Sequence, residues 1–348
     1  MSVDETSGSD AAPARIRERA AALGPYLSDR LGRTADIAEV SLASEGMSAS
    51  TLLVDLHHGE RIVLRAQERV DDQLLSLDGA AQFHLLRDVV AHGVPAPPAL
   101  FFEPDPDILG LPFLATAGLP GAAVVPWSSA GREFLARAGR GPAGAQLLDI
   151  LVGVHSVPVD GENVVRAVGL PSSDSGRATL KRLRSAVEGN VVQAEPILTD
   201  ALGWLDANLP PCPEPTLVHG DFRAGNLLFE GERISGLLDW EFAQVGDPAR
   251  DLAWFMAKSN RQSDDLACDM VPVAEFVADY RRAGGGDISP SSIAYWDVFM
   301  LVYSTAMWLR STALWRAGRL DDLRIARWTH ALPKLRVMIL DALDEAGR

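Results

Sequence analysis

The chain has 348 residues, of which 47% are hydrophobic and 23% charged, and its formal net charge is -15. That length exceeds what one hydrophobic core usually fills, so two lobes are expected, and the composition is that of an ordinary globular protein. The acidic balance repels phosphate backbones and anionic lipid, which excludes nucleic acid and membrane surfaces as expected partners.

The first residues, MSVDETSGSD, are polar and acidic, without the basic start and apolar stretch of a secretory signal. Residues 1–12 are expected to form a disordered tail. Cys212 and Cys268 stand far apart with no zinc or disulfide spacing, which points to a reducing compartment and a cytoplasmic location. Ile16, Ala20, Leu23 and Leu27 recur at helical spacing and predict a lead-in helix over 13–32. From Ile37 the pattern alternates, predicting a strand through Val40 and Leu42, then a hairpin of Thr51–Leu56 and Arg61–Arg65 around His57, His58 and Gly59. Both histidines read as turn residues. A helix over 74–91 follows, then a proline-punctuated segment and two strands around Ala99–Phe102 and Pro112–Ala117.

Gly118–Gly121 marks a joint, after which helices are predicted over 142–156, 177–188, 196–208, 247–258, 266–283, 290–317 and 320–345. One β segment interrupts them, with strands at Thr216–Val218, Asn226–Phe229 and Ile234–Asp239. The expected architecture is α+β and bilobal, with a small β-rich N-lobe over 13–117 and a larger, mainly helical C-lobe over 118–348.

Chemistry concentrates in one stretch: Leu217–Phe229 (LVHGDFRAGNLLF), Gly236–Ala243 (GLLDWEFA) and Gly246–Leu252 (GDPARDL). Asp221 and Asn226 stand five apart on a loop, and Asp239 closes the following hairpin, which returns its end beside its start. Phosphoryl transfer needs this set: a carboxylate to take or orient the attacking hydroxyl's proton, and oxygen ligands from two elements to hold Mg²⁺ against the phosphates. Protein kinases space the same groups in the same way. Only eight positions separate Asp239 from Asp247, which leaves no room for an activation loop, so a polypeptide acceptor is not expected. Asp247 and Asp251 read as structural residues at the start of a helix.

These motifs resemble those of the aminoglycoside phosphotransferase and choline-kinase-like superfamily. They are closest to the branch that contains the kinase-like N-terminal domains of some acyl-CoA dehydrogenases. The resemblance implies a protein-kinase-like fold, Asp221 as the catalytic carboxylate, Asn226 and Asp239 as Mg²⁺ ligands, and Asp251 and His219 as supports of the catalytic loop. It implies ATP or GTP as co-substrate and a small hydroxyl-bearing molecule as acceptor.

No P-loop motif is present, so phosphate contacts fall to the 44–51 loop, where Ser48 and its small neighbours allow close backbone approach; an ordinary polar turn would look the same. The lysines are Lys181, Lys258 and Lys334, none of them in the β-rich lobe, and Arg65 takes the place of the usual phosphate-gripping lysine. The helical glutamate that pairs with that lysine aligns with Gln82, a departure for which Asp78 could substitute.

Three functional classes stay open. One is a kinase for an uncharged or anionic, partly apolar acceptor of the hydroxyacyl type. The others are an aminoglycoside phosphotransferase and a catalytically weak binding protein of the same fold. The helix over 290–317 bears on the acceptor, since its faces carry arginine and apolar side chains with Asp297 as its one carboxylate, whereas polycations require several.

Overall fold

The computed structural model describes residues 23–43, 50–66, 76–169, 175–190, 194–212, 214–318 and 330–347. The expected tail over 1–12, the first part of the lead-in helix and Ser48 lie outside the described residues. Helix α1 (Leu23–Leu31) buries Leu23 and Leu27. Alternation then makes strands of β1 (Ile37–Leu42), β2 (Ser50–Leu56) and β3 (Arg61–Ala66), because every second side chain reaches the same face. Leu52, Val54 and Leu56 on β2 and Ile62, Leu64 and Ala66 on β3 form that buried face.

Helix α2 (Gly79–Ala91) is capped by Asp78, whose side chain accepts from the Ala81 N–H. Strands β4 (Ala99–Glu103) and β5 (Phe113–Ala117) complete an antiparallel sheet of order β1-β2-β3-β5-β4. Leu27, Val54, Leu64, Phe101 and Phe113 belong to a core of their own, which gives the sheet region a hydrophobic centre distinct from the rest.

Beyond the short β6 (Ala122–Ala123) the chain turns helical, with α3 (Ser129–Arg140), α4 (Pro142–His155), α5 (Glu162–Val168), α6 (Ser175–Asn190) and α7 (Pro196–Ala207). Strand β7 (Thr216–Val218) leads into the motif stretch, which continues through β8 (Leu227–Glu230), β9 (Arg233–Leu237) and β10 (Gln244–Gly246). These strands form a β6-β8-β9 sheet and a β7-β10 pair. Helix α8 (Ala249–Met256), the hairpin β11 (Leu266–Ala267) and β12 (Val271–Pro272), and helices α9 (Val273–Arg282), α10 (Pro290–Arg316) and α11 (Leu332–Glu345) follow. Two clusters fill this part: one joins α4 to the motif strands, and the other joins α6, α7, α10 and α11. The result is the bilobal α+β architecture that the sequence predicts. No helix among the described residues is long and apolar enough to cross a membrane.

Four elements differ from expectation. The predicted helix over 266–283 begins only at Val273, because Cys268 and Asp269 take left-handed backbone angles (φ 46° and 57°) that turn β11 into β12. Helix α2 starts at Gly79, where Asp78 caps it. Helices α3 and α5 are additional to the predicted set. Small residues dilute the apolar stripe of α3, and α5 has only seven residues.

Helix α3 lies so close to the β11–β12 hairpin that a Cβ on Gly139 would stand 2.0 Å from the Met270 carbonyl oxygen. Alanine gains about 1 kcal/mol of helix propensity over glycine, but this neighbour is backbone and cannot rotate away. Gly139→Ala is therefore expected to lose about 1–3 kcal/mol net, read as a lower urea midpoint at unchanged slope.

Candidate active site

The loop after β7 is held from below by Asp251, in the first turn of α8. Its Oδ2 accepts from the His219 N–H at 2.7 Å and its Oδ1 from the Gly220 N–H at 2.8 Å. His155 at the end of α4 donates to Oδ2 from Nε2 at 3.1 Å, and Tyr280 meets the other ring nitrogen at 2.7 Å. Asp251 is fully buried, so these partners replace water around its carboxylate. Gly220 sits at φ 82°, and a Cβ there would lie 2.1 Å from the Phe242 carbonyl oxygen, so only glycine fits between the two loops.

The His219 ring donates from Nε2 to the Leu238 carbonyl oxygen at 2.8 Å and accepts the Asp221 N–H at Nδ1, 3.2 Å away. A carbonyl only accepts and an amide N–H only donates, which fixes the neutral Nε2–H tautomer. The ring ties the Asp221 loop to the segment after β9 that leads into Asp239.

Asp221 presents its carboxylate between three donors. Trp254 Nε1 lies 2.6 Å from Oδ1, Asn226 Nδ2 2.7 Å from Oδ2, and Arg223 Nε 3.1 and 3.2 Å from the two oxygens. Asn226 Nδ2 also donates to the Asp221 carbonyl oxygen at 2.8 Å. That amide nitrogen is therefore directed at Asp221, which leaves Oδ1 as the atom with which Asn226 could face a cation. The Leu238 N–H donates to the Asn226 carbonyl oxygen at 2.8 Å, so Asp239 follows one residue beyond a point fixed to Asn226. Asp239 itself takes a left-handed conformation, φ 66°. Aspartate tolerates this conformation better than most residues.

Arg65, from β3, reaches Asp239 Oδ1 at 2.6 Å and stands 3.8 Å from Glu241. Burial works against the Arg65 charge, but Asp239 and Glu241 outweigh it and hold the guanidinium above its ordinary pKa. Burial likewise opposes ionisation of Asp239, and Arg65 with Arg223 keeps its carboxyl below the usual range. Gln82 is buried on α2 and donates from Nε2 to the Leu77 carbonyl oxygen at 2.9 Å. Asp78 caps α2. The carboxylate that adjoins Arg65 thus comes from Glu241, two residues after Asp239, and the Leu77 N–H donates to the Glu241 carbonyl oxygen.

The structure brings Asp221, Asn226, Asp239, His219 and Arg65 together. Sequence reading passed over Arg223, Glu241, Trp254 and His155. The first three lie inside or beside the motifs already singled out, and Trp254 follows Asp251 by three positions, one helical turn. His155 carries no signal in the sequence, since nothing near the end of α4 marks it.

A family model described as the phosphotransferase enzyme family matches residues 39–296. Acyl-CoA dehydrogenase family member 10 of Mus musculus is 30% identical over 185 residues, which are 50% of this chain and 16% of the mouse protein. Acyl-CoA dehydrogenase family member 11 of Rattus norvegicus is 26% identical over 236 residues, 63% of this chain and 29% of the rat protein. The chain thus spans less than a third of the length of either relative. Among solved structures, a thermostable mutant of aminoglycoside phosphotransferase APH(4)-Ia in ternary complex with ADP and hygromycin B gives a TM-score of 0.62 at 15% identity. The match covers 94% of this chain and 99% of that one. At that identity the likeness shows the fold.

The buried groups under the loop give stability a definite pH dependence. Burial holds His219 below the ordinary 6.5, so as pH falls past that value the unfolded chain takes up a proton that the folded chain does not, and stability drops. Burial opposes the Asp251 charge, but the His155 hydrogen bond and charge outweigh it and keep the carboxyl below 3.8. That contribution is complete above the unfolded value and is lost in stronger acid. Urea midpoints are expected to begin falling just below pH 6.5, with His219 contributing at most about 1.4 kcal/mol per pH unit. His219→Gln keeps a donor and an acceptor in place and should flatten this first limb between pH 7 and 5; an unchanged limb would contradict the assignment.

Proposed function

The chain belongs to the phosphotransferase enzyme family, and we propose that it moves the γ-phosphate of ATP or GTP onto a hydroxyl of an uncharged or anionic, partly apolar metabolite of the hydroxyacyl type. The observation that carries this reading is the Asp221 carboxylate. It is aimed by Trp254, Asn226 and Arg223 and stands beside a second charged pair, Arg65 with Asp239.

In the proposed reaction the acceptor hydroxyl oxygen forms a bond to the γ-phosphorus. The bond from that phosphorus to the β–γ bridging oxygen breaks, and the nucleoside diphosphate leaves with the electron pair. Asp221 takes the hydroxyl proton. A carboxylate held by three donors cannot swing away, so it offers a fixed acceptor for that proton. Asn226 Oδ1 and Asp239 would hold Mg²⁺, since both are hard oxygen donors and they come from separate elements. When bound, that ion neutralises charge on the transferring phosphate. Arg65 would meet the nucleotide phosphates by exchanging Asp239 for them while Glu241 stays beside it. This arrangement keeps the guanidinium positioned although α2 carries Gln82. Arg223, a third of its side chain exposed, adds positive charge between Asp221 and Asp239.

Support for the acceptor class comes from α10. Its Tyr303 ring packs edge-on against Phe242, which follows the Asp239 loop, at 5.8 Å between centroids. The carboxylate of α10, Asp297, lies instead among Glu345, Lys258 and Arg261, and burial pushes its pKa up to about 6. The helix therefore brings no carboxylate to the side where Asp221 stands, so it offers a polycation no added partner as it leaves water.

Asp221→Asn keeps the shape and the Trp254 contact but cannot take a proton. Turnover is expected to fall about 10²- to 10⁴-fold, while calorimetric affinity for Mg²⁺-nucleotide stays near that of the parent. Undiminished turnover would remove Asp221 from the reaction. Kanamycin-type acceptors are expected to show no saturable phosphorylation, whereas hydroxyacyl compounds are. Efficient, saturable transfer to an aminoglycoside would exclude the acceptor class proposed here.

A further inference from the structure

Arg223 follows Asp221 by two positions and turns back onto it, with Nε 3.1 and 3.2 Å from the two carboxylate oxygens. A guanidinium carries five N–H donors, and this contact uses only the one on Nε. Among the described residues no group hydrogen-bonds to Nη1 or Nη2, so the outer fork of the guanidinium has no protein partner. The side chain is 32% exposed, which gives a ligand in the cleft access to it without displacing core. Asp221 first, and Asp239 after it, hold the charge against the cost of burial and keep the pKa above its ordinary value.

Gly225 leaves room for this posture. A Cβ there would stand 2.9 Å from Arg223 Nη1, closer than packed atoms approach, and the group that would have to yield is the guanidinium. The place of the fork follows from its neighbours. Asn226 Nδ2 lies 2.7 Å from Asp221 Oδ2, the same oxygen that Arg223 Nε reaches at 3.2 Å. Arg223 thus stands beside the carboxylate that would face the acceptor hydroxyl and beside the amide whose Oδ1 would face a cation. A phosphoryl group in transit lies between those two ends and spreads its negative charge over its outer oxygens.

We propose that Arg223 is a catalytic residue whose free Nη fork grips the γ-phosphoryl group as it passes from nucleotide to acceptor. The proposal rests on the phosphotransfer reading and names a residue that acts on the transferring group itself. The fork donates to non-bridging oxygens while the acceptor oxygen bonds to phosphorus and the bond to the β–γ bridging oxygen breaks. The electron pair leaves on the nucleoside diphosphate, the hydroxyl proton goes to Asp221, and Arg223 keeps all its protons, because a guanidinium stays charged in proteins. Its Nε bond joins the proton acceptor and the phosphate grip into one unit, and a planar fork matches a phosphate edge that a point charge would not. A nucleoside diphosphate lacks the group that Arg223 grips, which separates this role from that of Arg65.

Calorimetry tells such a grip from a merely structural role. ADP and its imido triphosphate AMP-PNP, and GDP and GMP-PNP, are titrated with Mg²⁺ into the full chain and into Arg223→Met, Arg223→Lys and Gly225→Ala. Arg223→Met is expected to weaken the imido triphosphate about ten-fold or more while leaving the diphosphate within about two-fold, the loss of charge-assisted hydrogen bonds to one phosphate. Arg223→Lys, which keeps charge without the fork, should recover part of the difference. Gly225→Ala, which keeps the arginine but displaces its end, should lower the same ratio. Turnover by Arg223→Met is expected to fall about 10³-fold.

Equal weakening of diphosphate and imido triphosphate would mark a residue that supports the nucleotide site at large, and it would overturn the proposal. So would an unchanged ratio in Arg223→Met or in Gly225→Ala, or undiminished turnover in Arg223→Met. A raised KM for a hydroxyacyl acceptor at unaltered imido-triphosphate affinity would give the fork to the acceptor instead and overturn it as well. Should Arg223→Met fail to fold, Arg223→Lys and Gly225→Ala decide through the same ratio. Failure of the phosphotransfer reading looks different: the parent itself would bind none of these nucleotides with Mg²⁺, and both readings would fall together.

Discussion

The candidate site depends on a single buried carboxylate. Asp251 accepts from two consecutive backbone amides of the loop that presents Asp221, and a flexible loop tied at two adjacent N–H groups keeps little freedom to rotate. Because α8 also carries Trp254, which grips the Asp221 carboxylate directly, one short helix positions the loop twice, once by its backbone and once by its side chain. Removing Asp251 would leave two buried amides and His155 without their acceptor, a loss on the order of 3–5 kcal/mol for a buried ionic network. The fold of the helical lobe and the geometry of the site are in this sense one interaction.

Charge around this anchor is arranged in pairs, one set crossing between elements and one within the loop. Arg65 from the β sheet meets Asp239 and Glu241 from the helical lobe, and Arg223 meets Asp221 within the loop. On the proposed reading, each pair would hold groups that phosphate competes for, and a nucleotide would find cations already desolvated and aimed. The energetic advantage of such a site is preorganisation: the cost of gathering the charges is met during folding, when the hydrophobic clusters form. The Arg65 contact spans the lobes, so its exchange from Asp239 to a phosphate would couple nucleotide binding to how the lobes sit against each other.

How far the sequence discloses this arrangement varies with the range of the interaction. The sheet of the first lobe is readable because alternation is local, and Asp221, Asn226 and Asp239 stand out because polar groups interrupt short apolar strands at fixed spacing. The β11–β12 turn is not readable: Cys268 carries no signature of left-handed backbone, Asp269 only a weak preference for it, and the apolar residues around them fit a helix equally well. The pairing of Arg65 with Glu241 joins residues far apart in the chain, so searching α2 for the missing carboxylate pointed to Gln82 and Asp78. In the structure one donates to a carbonyl and the other caps its helix. The described residues do not include Ser48, so the phosphate loop stays an expectation of sequence.

Helix α10 shows why the sides of an enclosed helix cannot be told apart by periodicity. From Tyr295 to Ala306 it is buried almost all the way round, because α8 packs on one side while α6, α7 and α11 pack on others. A helix enclosed in this way has no polar face to define its apolar one. Only the contacts of individual rings tell the sides apart: Trp296 and Phe299 look to Arg250, and Tyr303 looks to Phe242. These three positions are spaced 3 and 4 apart, a single stripe that runs from Arg250 to the Asp239 loop. Beyond Ala306 the helix loses its enclosure, and Met307 and Arg310 continue the same stripe with partly exposed side chains. Substitutions at 307 and 310 would therefore alter the exposed end of the stripe without opening a cavity. Changes at 296 or 299 would disturb the packing against Arg250 and the core at once.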